Sequence, residues 1–184
     1  GQSELMSIYD SFFNDYGCQI GQILLTKDVM TNDARRQNVT NTFNTLLKMG
    51  CIPVVNENDS VEVAEIKFGD NDTLSAIVAD CIKADLLILL TDIDALYDGD
   101  PRKNPNAKKI DIVETISADI ENLAGDAGSE RGTGGMATKI AAAKIATEKG
   151  ITVAIGNGQN PDIIYDFIDG KNPGTIFRAK GVAL

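Results

Sequence analysis

The chain has 184 residues, of which 43% are hydrophobic and 24% are charged, and this length suits one well-buried globular domain. Its formal net charge of −10 argues against binding to nucleic acids or anionic membranes, because both attract clustered Lys and Arg. The chain contains no histidine, which excludes His-ligated zinc, Ser-His-Asp hydrolysis and His-paired cysteine catalysis within it.

The cysteines indicate the redox compartment of the protein, and the lengths of the apolar runs indicate whether it has a membrane segment. Cys18, Cys51 and Cys81 form no CxxC pair, which favours reduced, buried thiols and a cytoplasmic protein. The longest clear apolar run is LLILL at residues 86–90, far below the ~20 residues that a membrane span needs. We therefore expect no membrane segment.

The chain opens on a predicted amphipathic helix. Leu5, Ile8 and Phe12 recur at helical spacing, and Gly17 follows as a stop signal. Because the first residue is Gly rather than Met and already adjoins this helix, we expect that a preceding segment is missing.

Apolar runs then alternate with helical patterns. Strands are predicted within 18–26, 51–55, 85–92 and 151–155, with a short strand near 110–113 and a final one near 174–177. The strand at 85–92 lacks polar alternation and is predicted to be buried on both faces. Helices are predicted within 31–50, after a polar loop at 56–72, at 136–149, and at 160–170 with Asn160 as cap and Pro161 in the first position.

This alternation predicts an α/β fold, a three-layer αβα sandwich with a mainly parallel sheet. Ligands of such folds bind at the carboxyl ends of the strands. Polar residues follow three predicted strands at that end: Asn58 with Asp59, Thr91 with Asp92, and Asn157 with Gly158. Turn chemistry explains each pair alone, but their joint placement favours a site.

A further polar group precedes the helix that follows the long loop. Either Asn71 or Asp72 could cap this helix, and one cap needs one residue. Asp70, Asn71 and Asp72 together place three polar side chains at a helix entrance, which favours a ligand over a simple cap.

A glycine-rich segment, GTGG at residues 132–135, precedes the helix that carries Lys139. Glycines let backbone amides approach a polyanion, and the helix amino terminus and the lysine add positive charge. The segment is neither GxxxxGK[ST] nor GxGxxG, so a flexible linker before a solvated lysine stays open. Phosphoryl transfer to a carboxylate is compatible with the absence of histidine, because an ionised acceptor needs no general base.

Taken together, the motifs resemble the amino acid kinase superfamily, and within it the glutamate kinases. The resemblance covers essentially the whole chain. It rests on GQILLT (21–26), PVVNENDSV (53–61), EIKFGDNDTLSA (65–76), LILLTDIDALYDGDPR (87–102) and GTGGMATK (132–139).

The resemblance implies roles for individual residues. Asp59 and Asn71 correspond to substrate-binding residues, Asp72 to the carboxylate that organises the catalytic lysines, and Lys139 to a lysine that neutralises phosphate charge. No residue is assigned as a metal ligand. The nucleotide-contacting set implied by the resemblance comprises Thr91, Asp92, Thr133, Gly134, Gly135, Met136, Ala137, Thr138 and Lys139.

The resemblance also implies a reaction and its partners. These are phosphorylation of the γ-carboxylate of L-glutamate by ATP with Mg²⁺, proline as a feedback inhibitor, and a homo-oligomer, either dimer or tetramer. We expect one kinase domain over residues 1–184, without the RNA-binding PUA domain that some relatives carry.

One departure keeps alternatives open. The superfamily begins with a strand and loop bearing KxGS, and this motif is not in the chain, so the domain is expected to be incomplete at its amino terminus and the activity of this chain alone stays open. A sister kinase acting on acetylglutamate, aspartate, carbamate or a nucleoside monophosphate is one alternative. A non-catalytic, ligand-binding remnant is another.

Overall fold

A computed structural model of the chain describes residues 1–58, 71–101, 103–126 and 135–181. The described residues form six α-helices and six β-strands. The helices α1 to α6 are Gln2–Asn14, Asp33–Lys48, Asn71–Ile82, Ala118–Asp126, Met136–Glu148 and Ile163–Ile168. The strands β1 to β6 are Ile20–Leu25, Ile52–Glu57, Leu86–Thr91, Ile112–Val113, Thr152–Asn157 and Thr175–Phe177.

The chain divides into two compact units, residues 1–71 and 72–184. Our expectation of a single kinase domain over all 184 residues stays a prediction. No helix in the described ranges is both long and apolar enough to cross a membrane.

The first unit is built on two parallel strands. β1 and β2 pair from Ile20 opposite Ile52 to Leu25 opposite Glu57. Helix α2 begins after Asn32, whose side chain accepts a hydrogen bond from the Arg35 amide at 3.0 Å. A cavity of about 250 Å³ lies where β1 ends and α2 begins; its lining is Leu24, Leu25, Thr26, Asp28, Val29, Arg35, Asn38 and Val39.

The predicted apolar faces of the first unit are buried unequally. Phe43 of α2 is 1% exposed, whereas Leu47, one turn farther along the same helix, is 46% exposed. Helix α1 has no buried residue, and Phe12 on its apolar face is 65% exposed. Helical periodicity therefore identified the faces but not how deeply each is covered.

The second unit contains a four-stranded sheet in the order β3-β5-β6-β4. β3 pairs with β5 and β4 with β6 in parallel, while β5 and β6 are antiparallel. With the β1–β2 pair, three of the four strand pairings among the described residues are parallel. This agrees with the predicted mainly parallel sheet.

Side chains that alternate along β5 face two different helical layers. Val153 and Ile155 are fully buried in a core shared with α3, α4 and α5, where Ala142 of α5 is also fully buried. Ala154, between them, packs with Ile163 and Phe167 of α6. Because successive side chains of a strand point to opposite faces, the second unit has helices on both faces of its sheet, as the αβα prediction required.

The structure corrects three sequence-based expectations about element positions. Asn56 and Glu57 belong to β2, and α3 begins at Asn71, so residues at both ends of the predicted polar loop lie in regular elements. Helix α6 begins at Ile163 with Asp162 as N-cap, because the Asn160 side chain accepts from the Asp162 amide at 3.2 Å and forms a turn first.

Two further differences concern burial and number of elements. β3 is not buried on both faces: Leu89 is buried, but Leu90 is 42% exposed, and β3 is the last strand of its sheet among the described residues. Helix α4 was not predicted; it is only nine residues long and contains a glycine.

Candidate functional site

The topology of the second unit brings several predicted residues to one end of its sheet. α5 returns the chain to the start of β5, and its 13 residues span ~20 Å, about the length of the six-residue strand. Its first turn therefore lies at the end where β5 finishes. The same argument places the first turn of α3 at the carboxyl end of β3, because α3 precedes β3 in the same way.

Three side chains from these two first turns meet, and we call them the Asp72 cluster: Asp72 of α3, and Thr138 and Lys139 of α5. The Thr138 hydroxyl lies 2.8 Å from Asp72 Oδ2 and donates to it. Lys139 Nζ donates to the same oxygen at 3.1 Å. Residues far apart in sequence are thus joined at one carboxylate.

The Asp72 cluster is largely shielded from solvent. The side chain of Lys139 is 9% exposed and that of Asp72 is 19% exposed. A lysine in the first turns of a helix faces the positive end of the helix dipole, which disfavours its charge, and the carboxylate offsets this cost. An anion that binds here would be attracted both by the Lys139 ammonium and by the positive end of the α5 dipole.

Among the residues that the structure describes, no side chain caps the free amides at the amino terminus of α5. Its N-cap is Gly135, and its first turn contains no acidic residue. The first amides of an α-helix have no partner inside the helix, so they are available to water or to an anionic ligand. This arrangement suits the phosphates of a nucleotide.

The carboxyl ends of β3 and β5 form a second polar group beside this helix end. The Thr91 hydroxyl donates to Asp92 Oδ1 at 3.0 Å, and the Gly158 amide donates to the Thr91 carbonyl at 2.8 Å. A Cβ atom at Gly158 would lie 3.0 Å from Leu90 Cβ, so the loop after β5 approaches β3 closely. Asp92 is exposed and open to a ligand.

The other predicted site residues divide into three groups. Asn71 and Asp72 lie inside the first turn of α3, so neither is the helix cap that the sequence suggested for one of them. Met136 is buried in the core, and Ala137 is exposed. A nucleotide contact from Met136 would therefore come from its backbone. Asp59, Thr133 and Gly134 lie outside the described residues.

One ionisable pair near Thr91 was missed by the sequence analysis. The Tyr97 hydroxyl donates to Asp94 Oδ2 at 2.8 Å, and this hydrogen bond, with partial burial and the carboxylate charge, raises the pKa of Tyr97 above its ordinary value of 10.0. The acid three residues before the tyrosine was the available signal. At neutral pH the tyrosine is protonated and holds the Asp94 carboxylate in place.

Metal-binding groups are scarce in the described ranges. No set of three His, Cys, Asp or Glu side chains there lies close enough to hold a metal ion.

Comparison with known proteins was made at the levels of family, sequence and structure. Residues 1–157 match the Amino acid kinase family. The chain is 52% identical to glutamate 5-kinase of Clostridium perfringens over 98% of its own length and 68% of that protein. It is 55% identical to glutamate 5-kinase of Clostridium tetani, over 97% of its own length and 67% of the relative.

The fold is also shared with a more distant solved structure. The isopentenyl phosphate kinase of T. acidophilum, in its product complex, matches with a TM-score of 0.56 at 20% identity, over 96% of this chain and 66% of the other. This likeness concerns the fold alone. The chain spans about two thirds of the length of these relatives.

Proposed function

The chain belongs to the amino acid kinase family, and from this premise we propose that it phosphorylates the γ-carboxylate of L-glutamate with ATP. The product would be L-glutamyl 5-phosphate, the first intermediate of proline biosynthesis. The observation that carries this proposal is identity above 50% to two glutamate 5-kinases over nearly the whole chain. The Asp72 cluster at the amino end of α5 supports it with a place for the phosphates.

The reaction sets clear demands on the protein. An oxygen of the ionised γ-carboxylate attacks the γ-phosphorus of ATP, the bond from that phosphorus to the β,γ-bridging oxygen breaks, and ADP leaves with the bond's electrons. No proton has to be removed from the acceptor. The protein therefore contributes positioning and charge neutralisation rather than a general base.

The described residues meet these demands through Lys139 and α5. Lys139 places its ammonium in a shielded position, where it stabilises negative charge on the transferring phosphoryl group more effectively than an exposed lysine would. Amides of the α5 first turn, which begins after Gly135, would bind phosphate oxygens. Asp72 keeps the ammonium in position.

We assign the nucleotide and its metal to the same end of the sheet. Thr91 and Asp92 would contact the nucleotide where β3 ends. Mg²⁺ carried on the phosphates would spread their charge, and none of the described residues is assigned as its ligand.

The glutamate side of the site is assigned to Asp59 and Asn71. A carboxylate at Asp59 suits the substrate ammonium, and the Asn71 amide suits a substrate carboxylate. We extend the proposal to a homo-oligomeric, cytoplasmic enzyme with one kinase domain over residues 1–184, inhibited by proline.

The test is a substrate panel with the full-length protein, ATP and Mg²⁺, in which hydroxylamine traps the acyl phosphate as a hydroxamate. Glutamate should give hydroxamate and ADP in equal amounts, while aspartate and acetylglutamate should give at least ~100-fold less, because aspartate is one methylene shorter and acetylglutamate lacks the free ammonium assigned to Asp59. Preferred turnover of acetylglutamate, aspartate, carbamate or a nucleoside monophosphate would replace the proposal with a sister kinase. Ligand binding without any turnover would favour the non-catalytic remnant.

A further inference from the structure

We propose that Thr138 is a positioning residue, whose hydroxyl fixes the carboxylate of Asp72 so that this carboxylate holds the ammonium of Lys139 in place. The inference rests on the proposed function. It gives the Thr138 side chain a different task from the nucleotide contact that the family resemblance implies for this position.

The geometry of the hydroxyl carries the first step. Thr138 Oγ1 lies 2.8 Å from Asp72 Oδ2 and also 2.8 Å from the Gly135 carbonyl oxygen. A hydroxyl has one proton, so it donates fully to one of these acceptors at a time. The ionised carboxylate is the stronger acceptor. If the proton turned to the Gly135 carbonyl, lone pairs of Thr138 Oγ1 and Asp72 Oδ2 would face and repel each other. The proton therefore points to Asp72.

The second step concerns the oxygen that is shared. Asp72 Oδ2 accepts from both Thr138 and Lys139. A carboxylate held by one flexible lysine could rotate about its terminal torsion, which is broad for aspartate. A second donor from the adjacent residue of the same helix restricts that rotation, so the ammonium keeps one position.

The third step concerns the stiffness of the donor. Threonine is β-branched, and in a helix its hydroxyl has a small set of allowed rotamers. The Thr138 amide, in turn, donates to the Gly135 carbonyl at 3.2 Å, which ties this residue to the start of α5. The hydroxyl therefore points from a fixed base toward Asp72, and the structure gives it a carboxylate as its partner.

The kinetic test compares Thr138→Val and Thr138→Ser in the full-length protein. Thr138→Val keeps the shape and removes the hydroxyl, and we expect kcat to fall about tenfold with the KM for ATP within about twofold, since one hydrogen bond to a charged group is lost. Thr138→Ser should recover most of kcat. A raised KM for ATP with kcat retained, kcat unaffected by Thr138→Val, or Thr138→Ser as impaired as Thr138→Val would each overturn the proposal.

The same helix offers a matched control. Thr147 is also buried in α5, and its hydroxyl donates to a backbone carbonyl, that of Lys144, at 3.3 Å. Thr147→Val should leave kcat within about twofold, because no carboxylate depends on that hydroxyl. An equal loss of kcat in both valine variants would mean a general effect on α5 and would overturn the positioning role.

A second measurement needs no turnover. Thr138→Val should lower the thermal midpoint by about 3 °C in the wild type and by less than about 1 °C when Asp72→Ala is already present, because the carboxylate partner is then gone. Equal shifts in the two backgrounds would contradict the contact. Coupling in stability together with no glutamate turnover in the wild type would instead refute the proposed function while keeping the hydrogen bond.

Discussion

Helix α5 carries two lysines that each pair with a carboxylate of another helix, but in different surroundings. Lys139 is 9% exposed and pairs with Asp72, which is 19% exposed. Lys144, farther along the helix, is 45% exposed and pairs with Glu121, which is 42% exposed. Water screens the second pair, so it contributes little to stability. The first pair costs desolvation, and such a cost is retained where charge is needed for function.

Lys139→Ala tests the shielded member of this comparison and should have the largest effect. We expect kcat to fall about 1,000-fold with the glutamate KM within about threefold, because the charge that Lys139 neutralises grows during phosphoryl transfer. Steady-state kinetics with saturating ATP measures both. Lys144→Ala is the control and should retain kcat; an unchanged kcat in Lys139→Ala would refute the role.

Asp72→Asn tests whether the negative charge that pairs with Lys139 is needed for activity, for stability or for both. We expect kcat to fall about 100-fold, and the free energy of unfolding to decrease by about 2 kcal/mol, because Lys139 loses a charged partner in a largely shielded place. This corresponds to a thermal midpoint lower by about 6 °C. Parallel kinetics and thermal unfolding distinguish the two effects. A large stability loss with normal kcat would show that the pair serves the fold alone.

Asp59→Ala separates the substrate side from the phosphate side. It should raise the glutamate KM about 30-fold and leave the KM for ATP near normal, since Asp59 is assigned to the substrate ammonium. Initial rates over both substrate concentrations measure this. Equal losses for both ligands would indicate a folding defect and would remove the assignment.

Glu121→Gln tests the exposed pair and should have the smallest effect. The hydrogen bond and charge of Glu121 raise the pKa of Lys144 above its ordinary value of 10.5. A raised pKa stabilises the folded state below pH 10.5, and that contribution is lost as the pH rises through the raised value. The thermal midpoints of wild type and Glu121→Gln should therefore differ slightly at pH 8 and converge above pH 10.5. A difference that grows with pH would have the wrong sign.

The comparison of the two pairs also shows what sequence reasoning could reach. Apolar periodicity placed the strands at 86–91 and 152–157 and the helix that carries both lysines, because local spacing reports the buried face of an element. Leu90 is exposed on a strand that is last in the sheet formed by the described residues, and no local pattern encodes that position. Strand order is a tertiary property.

For the site, too, the sequence predicted which residues matter but not which of them touch. Lys139 and Asp72 were singled out by their motifs, but their contact joins residues that are far apart in sequence. Thr138 was assigned to the nucleotide because the family resemblance includes GTGGMATK, and only the meeting of the first turns of α3 and α5 revealed the carboxylate beside its hydroxyl. Residue type and position indicate chemistry, whereas the direction of a side chain follows from tertiary packing.

The central claim is that Lys139 binds the transferring phosphoryl group more tightly in the transition state than in the bound nucleotide. Isothermal titration can measure this directly, with a non-hydrolysable ATP analogue that keeps the γ-phosphoryl group and with ADP, Mg²⁺, glutamate and aluminium fluoride as a transition-state mimic. Lys139→Ala should weaken the mimic about 1,000-fold and the ATP analogue less than about threefold. Equal weakening of both ligands, or no change in either, would contradict the claim.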